Sequence, residues 1–236
     1  MNLPPEQFIF DLPADPSMGR EDFFVSGANR AALARVDNWP DEAARTPLLV
    51  LTGPPGSGKS HLAEIWRAAT GALKAVVADV VEENIPALLS SGFLVIEDAP
   101  GEGLDEVAMF HLVNMAREKG AFLLVTSRLF PAHWPVALAD LKSRLKAAQV
   151  AELAPPDDEL LRAVLVKLFT DRQLRPGEGV ISYMLTRMER SLAAARELVE
   201  AIDRRALRER AEITRPFVAR LMREMTHDCQ RPPARL

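Results

Sequence analysis

The sequence predicts an α/β core with a five-stranded parallel sheet, followed by a small all-α domain. In the first two thirds of the chain, short apolar runs alternate with amphipathic stretches, as in successive βαβ units around a buried sheet. After Pro155 and Pro156 the strand signals end and only helical periodicity remains. The 236 residues are 48% hydrophobic and 26% charged, close to globular averages, so the chain can form a core and an appended domain.

Five apolar runs are too short for helices and are bounded by glycine, proline or polar residues, such as Gly53 after the first and Gly120 before the fourth. They predict strands at residues 48–52, 73–77, 93–97, 122–126 and 149–153. The amphipathic stretches between the runs predict helices at about residues 59–69, 84–89, 104–119 and 138–146.

The last third predicts four helices. The first follows Asp157 and Asp158, whose charges favour a helix amino terminus, and the second spans about residues 176–188. Ser191 and Thr214 are expected to cap the third and fourth. We therefore predict four segments: residues 1–20, a nucleotide-binding core at 21–155, a helical domain at 156–227, and a tail at 228–236.

Composition excludes several classes of protein. The net charge of −4 argues against a protein that coats nucleic acid, so contact with DNA is expected only indirectly. No apolar run approaches the length of a membrane span, and the single cysteine allows no disulfide framework within the chain. The four histidines show no metal-ligand spacing. We expect a cytoplasmic protein with no membrane partner.

The strongest chemical signal is the run from Gly53 to Ser60, which fits the phosphate-loop pattern G-x-x-x-x-G-K-[ST] between a predicted strand and a predicted helix. The glycines let backbone N–H groups surround phosphates, Lys59 supplies a cation, and the Ser60 hydroxyl is a ligand for Mg²⁺. A glycine-rich turn that serves only packing would not explain Lys59 and Ser60.

A second signal is the predicted strand that ends in Glu97 and Asp98. In phosphate-loop ATPases the first of two such acids holds Mg²⁺ through water and the second polarises the attacking water. Because Glu97 is one methylene longer than the expected aspartate, we expect nucleotide binding with slow hydrolysis. The alternative is that two acids merely end a strand at a solvated edge.

Two further polar groups follow later elements. The fourth strand leads into Thr126, Ser127 and Arg128, where a polar residue can report on the γ-phosphate or simply end a strand. Arg144, near the end of the next helix, is either an arginine finger that projects into a neighbouring subunit or an isolated surface charge.

These motifs together resemble a known family. The run from Phe24 to Asn29, the phosphate loop continuing into His61, the paired acids, Ser143 to Leu145, and Glu189 with Arg190 resemble the AAA+ module of the bacterial replication initiator DnaA. The chain stops after the helical domain, before any helix-turn-helix. It is therefore similar to the DnaA-related regulators of the Hda family, which implies an AAA+ core with a helical lid.

The resemblance implies roles for individual residues. Val25 and Asn29 would lie near the adenine of ADP or ATP, Arg190 would reach the phosphates from the lid, and Arg144 would act on the nucleotide of DnaA. Ser60 and Glu97 would hold Mg²⁺, and Glu97, Asp98 and Arg144 would be the catalytic residues. The loop residues implied in nucleotide binding are Pro54, Pro55, Gly56, Ser57, Gly58, Lys59, Ser60 and His61. A homodimer is a further expectation, because AAA+ modules commonly place nucleotide between subunits.

The segment at residues 7–12 resembles the short peptide by which bacterial proteins bind the replication sliding clamp. It presents a glutamine followed by apolar residues at the fourth and sixth positions, in the sequence Gln7, Phe8, Ile9, Phe10, Asp11, Leu12. Phe10 and Leu12 can enter an apolar pocket while Gln7 makes polar contacts at its rim. The alternative is an apolar strand that packs on the core.

Two functions of different classes remain open on the sequence. The first is a regulator that binds the clamp and stimulates ATP hydrolysis by DnaA, so that replication is not re-initiated. The second is an autonomous AAA+ ATPase or adaptor, such as a helicase loader. Steady-state hydrolysis by the purified protein alone discriminates between them, because only the second turns over ATP robustly without partners.

Overall fold

The computed structural model describes residues 19–40, 46–177 and 179–229. Within them, five strands alternate with helices up to Glu152 and only helices follow. The strands are β1 Leu48–Thr52, β2 Leu73–Val76, β3 Phe93–Ala99, β4 Phe122–Ser127 and β5 Gln149–Glu152. The helices are α1 Arg30–Asp37, α2 Lys59–Thr70, α3 Ile85–Leu88, α4 Glu106–Lys119, α5 Ala139–Lys146, α6 Asp158–Asp171, α7 Val180–Leu185, α8 Leu192–Glu209 and α9 Arg215–Cys229.

The strands form one parallel sheet in the order β2-β3-β4-β1-β5, which confirms the predicted fold class. β1 lies between β4 and β5 and all five of its residues are buried, because helices cover both faces of the sheet. Its register aligns Thr52 with Ser127 on β4 and with Glu152 on β5. The segments that leave these three strands therefore start at the same edge of the sheet.

Each face of the sheet has its own apolar core. One face packs against α4 and α5 through residues such as Leu112 and Leu141, and the other packs against α1 and α2 through Leu33 and Leu62. This three-layer arrangement fixes α2, and with it the segment that joins β1 to α2.

The C-terminal helices enclose a third core that includes Phe169, Val199 and Ile202. Side chains cap two of them, and the cap by Ser191 confirms the prediction. The Asp157 carboxylate accepts a hydrogen bond from the Leu160 N–H at 2.8 Å, and the Ser191 hydroxyl accepts one from the Ala194 N–H at 3.0 Å. In the described part of the chain, no helix is long and apolar enough to cross a bilayer.

The elements differ from the predictions in two places. α1 was not predicted, because it has only eight residues and buries only Ala32, Leu33 and Val36, too few to establish a helical period. α7 is shorter than the predicted 176–188. It begins after Gly179, whose φ of +75° is a left-handed conformation that interrupts a helix.

Candidate functional site

The segment between β1 and α2 folds as a glycine-dependent loop. Gly56 and Gly58 have φ values of +67° and +98°, in the left-handed region that glycine tolerates. A Cβ atom on Gly53 would lie 2.5 Å from the Leu153 carbonyl oxygen, so no larger residue fits there. The loop leads directly into the amino terminus of α2, where free backbone N–H groups favour an anion.

Lys59 is buried at the start of α2, and its ammonium group is directed back onto this loop. Nζ donates hydrogen bonds to the carbonyl oxygens of Gly53 at 2.9 Å and Pro54 at 2.8 Å. Burial lowers the pKa of Lys59, the nearby Asp98 carboxylate opposes that shift, and the positive charge of Arg128 adds to it. The loop carbonyl oxygens carry only partial negative charge. A bound phosphate would give the ammonium a full counter-charge.

Three side-chain hydroxyl groups lie in the loop or next to it in the sequence. Thr52 Oγ1 and Ser57 Oγ are buried and, among the described residues, have no hydrogen-bond partner. Buried hydroxyls are normally paired, so two unpaired ones beside an anion-binding loop are suited to a polar ligand. Ser60 is exposed in the first turn of α2.

The two acids at the end of β3 have different environments. The Glu97 carboxylate forms an ion pair with Lys74 Nζ of β2 at 2.6 Å, and 17% of the Glu97 side chain is exposed. Asp98 has a φ of +55°, and its N–H donates to Thr126 Oγ1 at 2.9 Å. Asp98, rather than Glu97, is the acid that affects the pKa of Lys59.

The magnesium site expected from the sequence stays a prediction, and its two residues lie in different environments. Of its two ligands, the Ser60 hydroxyl is accessible, but Lys74 already neutralises the Glu97 carboxylate.

The end of β4 lies beside the loop. Ser127 is buried, and its hydroxyl oxygen accepts hydrogen bonds from the Leu129 N–H at 3.0 Å and Trp134 Nε1 at 3.2 Å. This hydroxyl therefore holds the chain that follows β4. Arg128, the next residue, is exposed.

The residues expected near adenine form a turn before α1. The Asn29 side chain is buried and fully used within it: Oδ1 accepts from the Ser26 N–H at 2.9 Å, and Nδ2 donates to the Phe24 carbonyl at 2.8 Å. Asn29 thus shapes the turn. Val25 is 47% exposed and leaves an apolar surface available for a base.

His61 faces away from the loop, toward the chain that precedes this turn. Its Nε2 lies 3.0 Å from the Gly19 carbonyl oxygen, and its ring makes an edge contact with Phe23 at 5.2 Å between centroids. Phe23 in turn lies beside Gly58, since a Cβ on that glycine would be 4.0 Å from Phe23 Cε2. His61 therefore supports the loop through Phe23.

The helical domain contacts the loop directly. The Leu192 N–H, at the start of α8, donates to the Gly56 carbonyl at 2.8 Å, and a Cβ on Gly56 would lie 2.7 Å from Ser191 Cβ. Sequence reasoning missed this contact, although the predicted cap at Ser191 marked the correct helix end. Arg190 is more than half exposed and is paired with Asp158 at 2.8 Å.

Arg144 lies at the opposite edge of the sheet from the loop. α5 ends just before β5 begins at Gln149, which is level with Leu49 at the start of β1, whereas the loop follows the far end of β1. A five-residue strand is about 15 Å long. Arg144 lines a surface groove of about 540 Å³ with Asn114, Arg117 and Glu118 of α4.

The chain resembles known proteins in its C-terminal helices and in its whole fold. Residues 158–222 match the family model of the Hda lid domain. Domain III of the replication initiation protein DnaA from Thermotoga maritima superposes with a TM-score of 0.72 at 19% identity, over 90% of this chain and 98% of that one. The chain therefore has the fold of DnaA domain III, and its C-terminal helices form a lid of the Hda type.

Two more relatives share much of the length. AMPPCP-bound DnaA from Aquifex aeolicus superposes with a TM-score of 0.64 at 16% identity, over 83% of this chain and 70% of that chain. An uncharacterised protein of Haemophilus influenzae is 23% identical over 194 residues, which cover 75% of this chain and 82% of its own length. The structural likenesses extend over both the AAA+ core and the Hda-type lid.

The segment expected to bind the sliding clamp, with Gln7, Phe8, Ile9, Phe10 and Leu12, lies outside the described residues. Its role stays a prediction.

The contact between the AAA+ core and the lid predicts the effect of Gly56→Ala. The added methyl group must displace Ser191, so we expect a loss of stability of about 1 kcal/mol or more beyond the cost of a left-handed alanine. Chemical denaturation of Gly56→Ala and of the unmodified chain measures this loss in the free energy of unfolding.

Gly71→Ala is the matched control. Gly71 has a φ of +70°, and a Cβ there would meet no atom within 4 Å, so its substitution carries only the backbone strain. Equal losses for the two variants would mean that the lid does not depend on its contact with Gly56.

Proposed function

We propose that this protein binds an adenine nucleotide between its core and its lid, binds the replication sliding clamp through residues 7–12, and presents Arg144 to ATP-bound DnaA. Hydrolysis by DnaA then converts the initiator to its ADP form and limits re-initiation. The match to the Hda lid domain and the likeness to AMPPCP-bound DnaA support the nucleotide and the partner.

The position of Arg144 carries this proposal. An arginine about 15 Å or more from the phosphate loop of its own chain cannot reach a nucleotide bound there. It can reach the nucleotide of a second AAA+ module that packs against the edge of the sheet where α4 and α5 end. Its guanidinium would then stabilise the charge that develops on the transferred phosphoryl group of the partner.

The residues of this chain have separate roles in the proposal. The loop N–H groups and Lys59 bind the phosphates, Val25 contacts the base, and Asp98 is the acid whose charge acts on Lys59. Leu192 joins the loop to the lid, so that a bound nucleotide would stabilise the closed arrangement and the surface that DnaA meets.

An autonomous ATPase is disfavoured by the ion pair between Glu97 and Lys74. A first acid that is neutralised by a lysine is poorly placed to organise water around a metal. The deciding experiment measures ATP hydrolysis by the purified protein, by DnaA, and by the two together with clamp loaded on DNA. The proposal requires that the hydrolysis rate exceed that of DnaA alone, and that it do so only in the complete mixture. Turnover by the protein alone would support the autonomous enzyme.

Clamp binding predicts the effect of Gln7→Ala. Loss of the polar contacts at the rim of the pocket is expected to lower retention on immobilised clamp by about tenfold. Glu6→Ala, at the neighbouring residue outside the pattern, should be retained like the unmodified protein. If both variants are retained equally, residues 7–12 do not dock as proposed.

A further inference from the structure

Arg128 is a second cation at the phosphate end of the site. Because Thr52 of β1 is aligned with Ser127 of β4, the residues that follow them, Gly53 and Arg128, leave neighbouring strands side by side. Neighbouring strands are about 4.8 Å apart. Arg128 therefore starts next to the first residue of the phosphate loop, whose carbonyl oxygen already accepts a hydrogen bond from Lys59.

The backbone that carries Arg128 is well anchored. The buried Ser127 hydroxyl accepts hydrogen bonds from Leu129 on one side of the turn and from the Trp134 indole on the other. The Arg128 side chain itself is exposed, so it can turn toward a ligand without losing packing. Its charge and that of Lys59 also interact, since Arg128 contributes to lowering the pKa of Lys59.

The acid expected to hold the metal is already paired with a lysine. Glu97 is neutralised by Lys74, which leaves Asp98 as the one acid at the end of β3 without a lysine or arginine partner among the described residues. Glu152 of β5 is level with Thr52, so a further exposed carboxylate lies at this end of the sheet.

We propose that this site binds adenine nucleotide with little dependence on Mg²⁺, because Arg128 supplies the phosphate-neutralising charge that the metal otherwise provides. A guanidinium can form two parallel hydrogen bonds to one phosphate, which gives both charge and orientation. This inference rests on the proposed function, since it describes how the same nucleotide site works. On this view Glu97 is not needed to hold a metal, and its carboxylate can pair with Lys74 while the loop still binds phosphate.

Calorimetric titration of the full chain with ADP, in excess EDTA and in excess Mg²⁺, tests the proposal. We expect the affinities in the two buffers to agree within about threefold. Arg128→Ala should bind ADP roughly tenfold more weakly than the unmodified chain in EDTA, and Mg²⁺ should restore part of the loss. Arg208→Ala, at an exposed arginine near the far end of α8, serves as the control and should match the unmodified chain in both buffers.

Three outcomes would overturn the inference. Binding that requires Mg²⁺ would show that the metal is needed despite Arg128, and undiminished binding by Arg128→Ala in EDTA would show that Arg128 is not used. Absence of ADP binding in both buffers would overturn the nucleotide site itself and this inference with it. Thermal unfolding of each variant identifies any loss that is due to misfolding, and Arg128→Lys then tests whether charge without the planar fork restores affinity in EDTA.

Discussion

Arg144→Ala is expected to lower the stimulated rate of ATP hydrolysis by DnaA by about 10³-fold, the smallest contribution usual for an arginine finger. The reason is the developing negative charge on the phosphoryl group, which a guanidinium stabilises and a methyl group does not. The measurement is the rate of ADP formation by DnaA with clamp loaded on DNA, at saturating amounts of the variant. Clamp retention and nucleotide affinity should both stay unchanged, because Arg144 lies at the opposite edge of the sheet from the phosphate loop.

Lys146→Ala is the matched control for this experiment. Lys146 is an exposed cation in the last turn of the same helix, so its removal changes the net charge equally. Arg144→Lys should recover only a small part of the rate, since an ammonium group lacks the planar fork of arginine. Full stimulation by Arg144→Ala would exclude this residue as the arginine finger, whether or not the variant is retained on the clamp.

The fold and the phosphate loop could be predicted because their signals are local. β1 is a continuous apolar run that ends at Gly53, and the loop that follows has a fixed spacing between its glycines and Lys59. Neither inference requires knowledge of what packs against the segment. The helix caps at Asp157 and Ser191 also depend on neighbouring residues alone. Each side chain accepts a hydrogen bond from the backbone N–H three residues later.

The charge distribution of the site could not be predicted, because it depends on pairing between strands. Glu97 is aligned with Val76, two residues beyond Lys74, so the two side chains lie on the same face of the sheet and meet diagonally. No spacing within the sequence indicates that register. The same holds for Arg128, which lies next to Gly53 only because β4 and β1 are neighbours.

The contact between loop and lid is also a product of tertiary structure. Leu192 and Gly56 are far apart in sequence, and their hydrogen bond joins two backbone groups, so side-chain chemistry gives no sign of it. Asn29, which the resemblance implied near adenine, uses its amide within its own turn, with Ser26 and Phe24. Its position near the base stays a prediction.

Lys59→Ala is expected to weaken ADP binding by about 10- to 100-fold, the usual contribution of hydrogen bonds to a charged group. The buried ammonium donates hydrogen bonds to the carbonyl oxygens of Gly53 and Pro54. The variant therefore loses both the counter-charge for phosphate and the hydrogen bonds that hold the loop. Calorimetric titration with ADP measures the loss. Lys119→Ala, at an exposed lysine that ends α4 on the opposite edge of the sheet, should bind ADP normally.

The pH dependence of the same titration separates the charge of Lys59 from its bracing role. Burial lowers the pKa of Lys59 below the ordinary lysine value of 10.5, and a bound phosphate would raise it again. Above the pKa of the free protein, binding must therefore take up a proton, so the affinity of the unmodified chain should fall as pH rises toward 10.5. Lys59→Arg keeps its charge through this range and should lack that fall. If the unmodified chain binds ADP equally well throughout the alkaline range, the Lys59 ammonium does not contact the phosphates, and the loop binds them through its backbone alone.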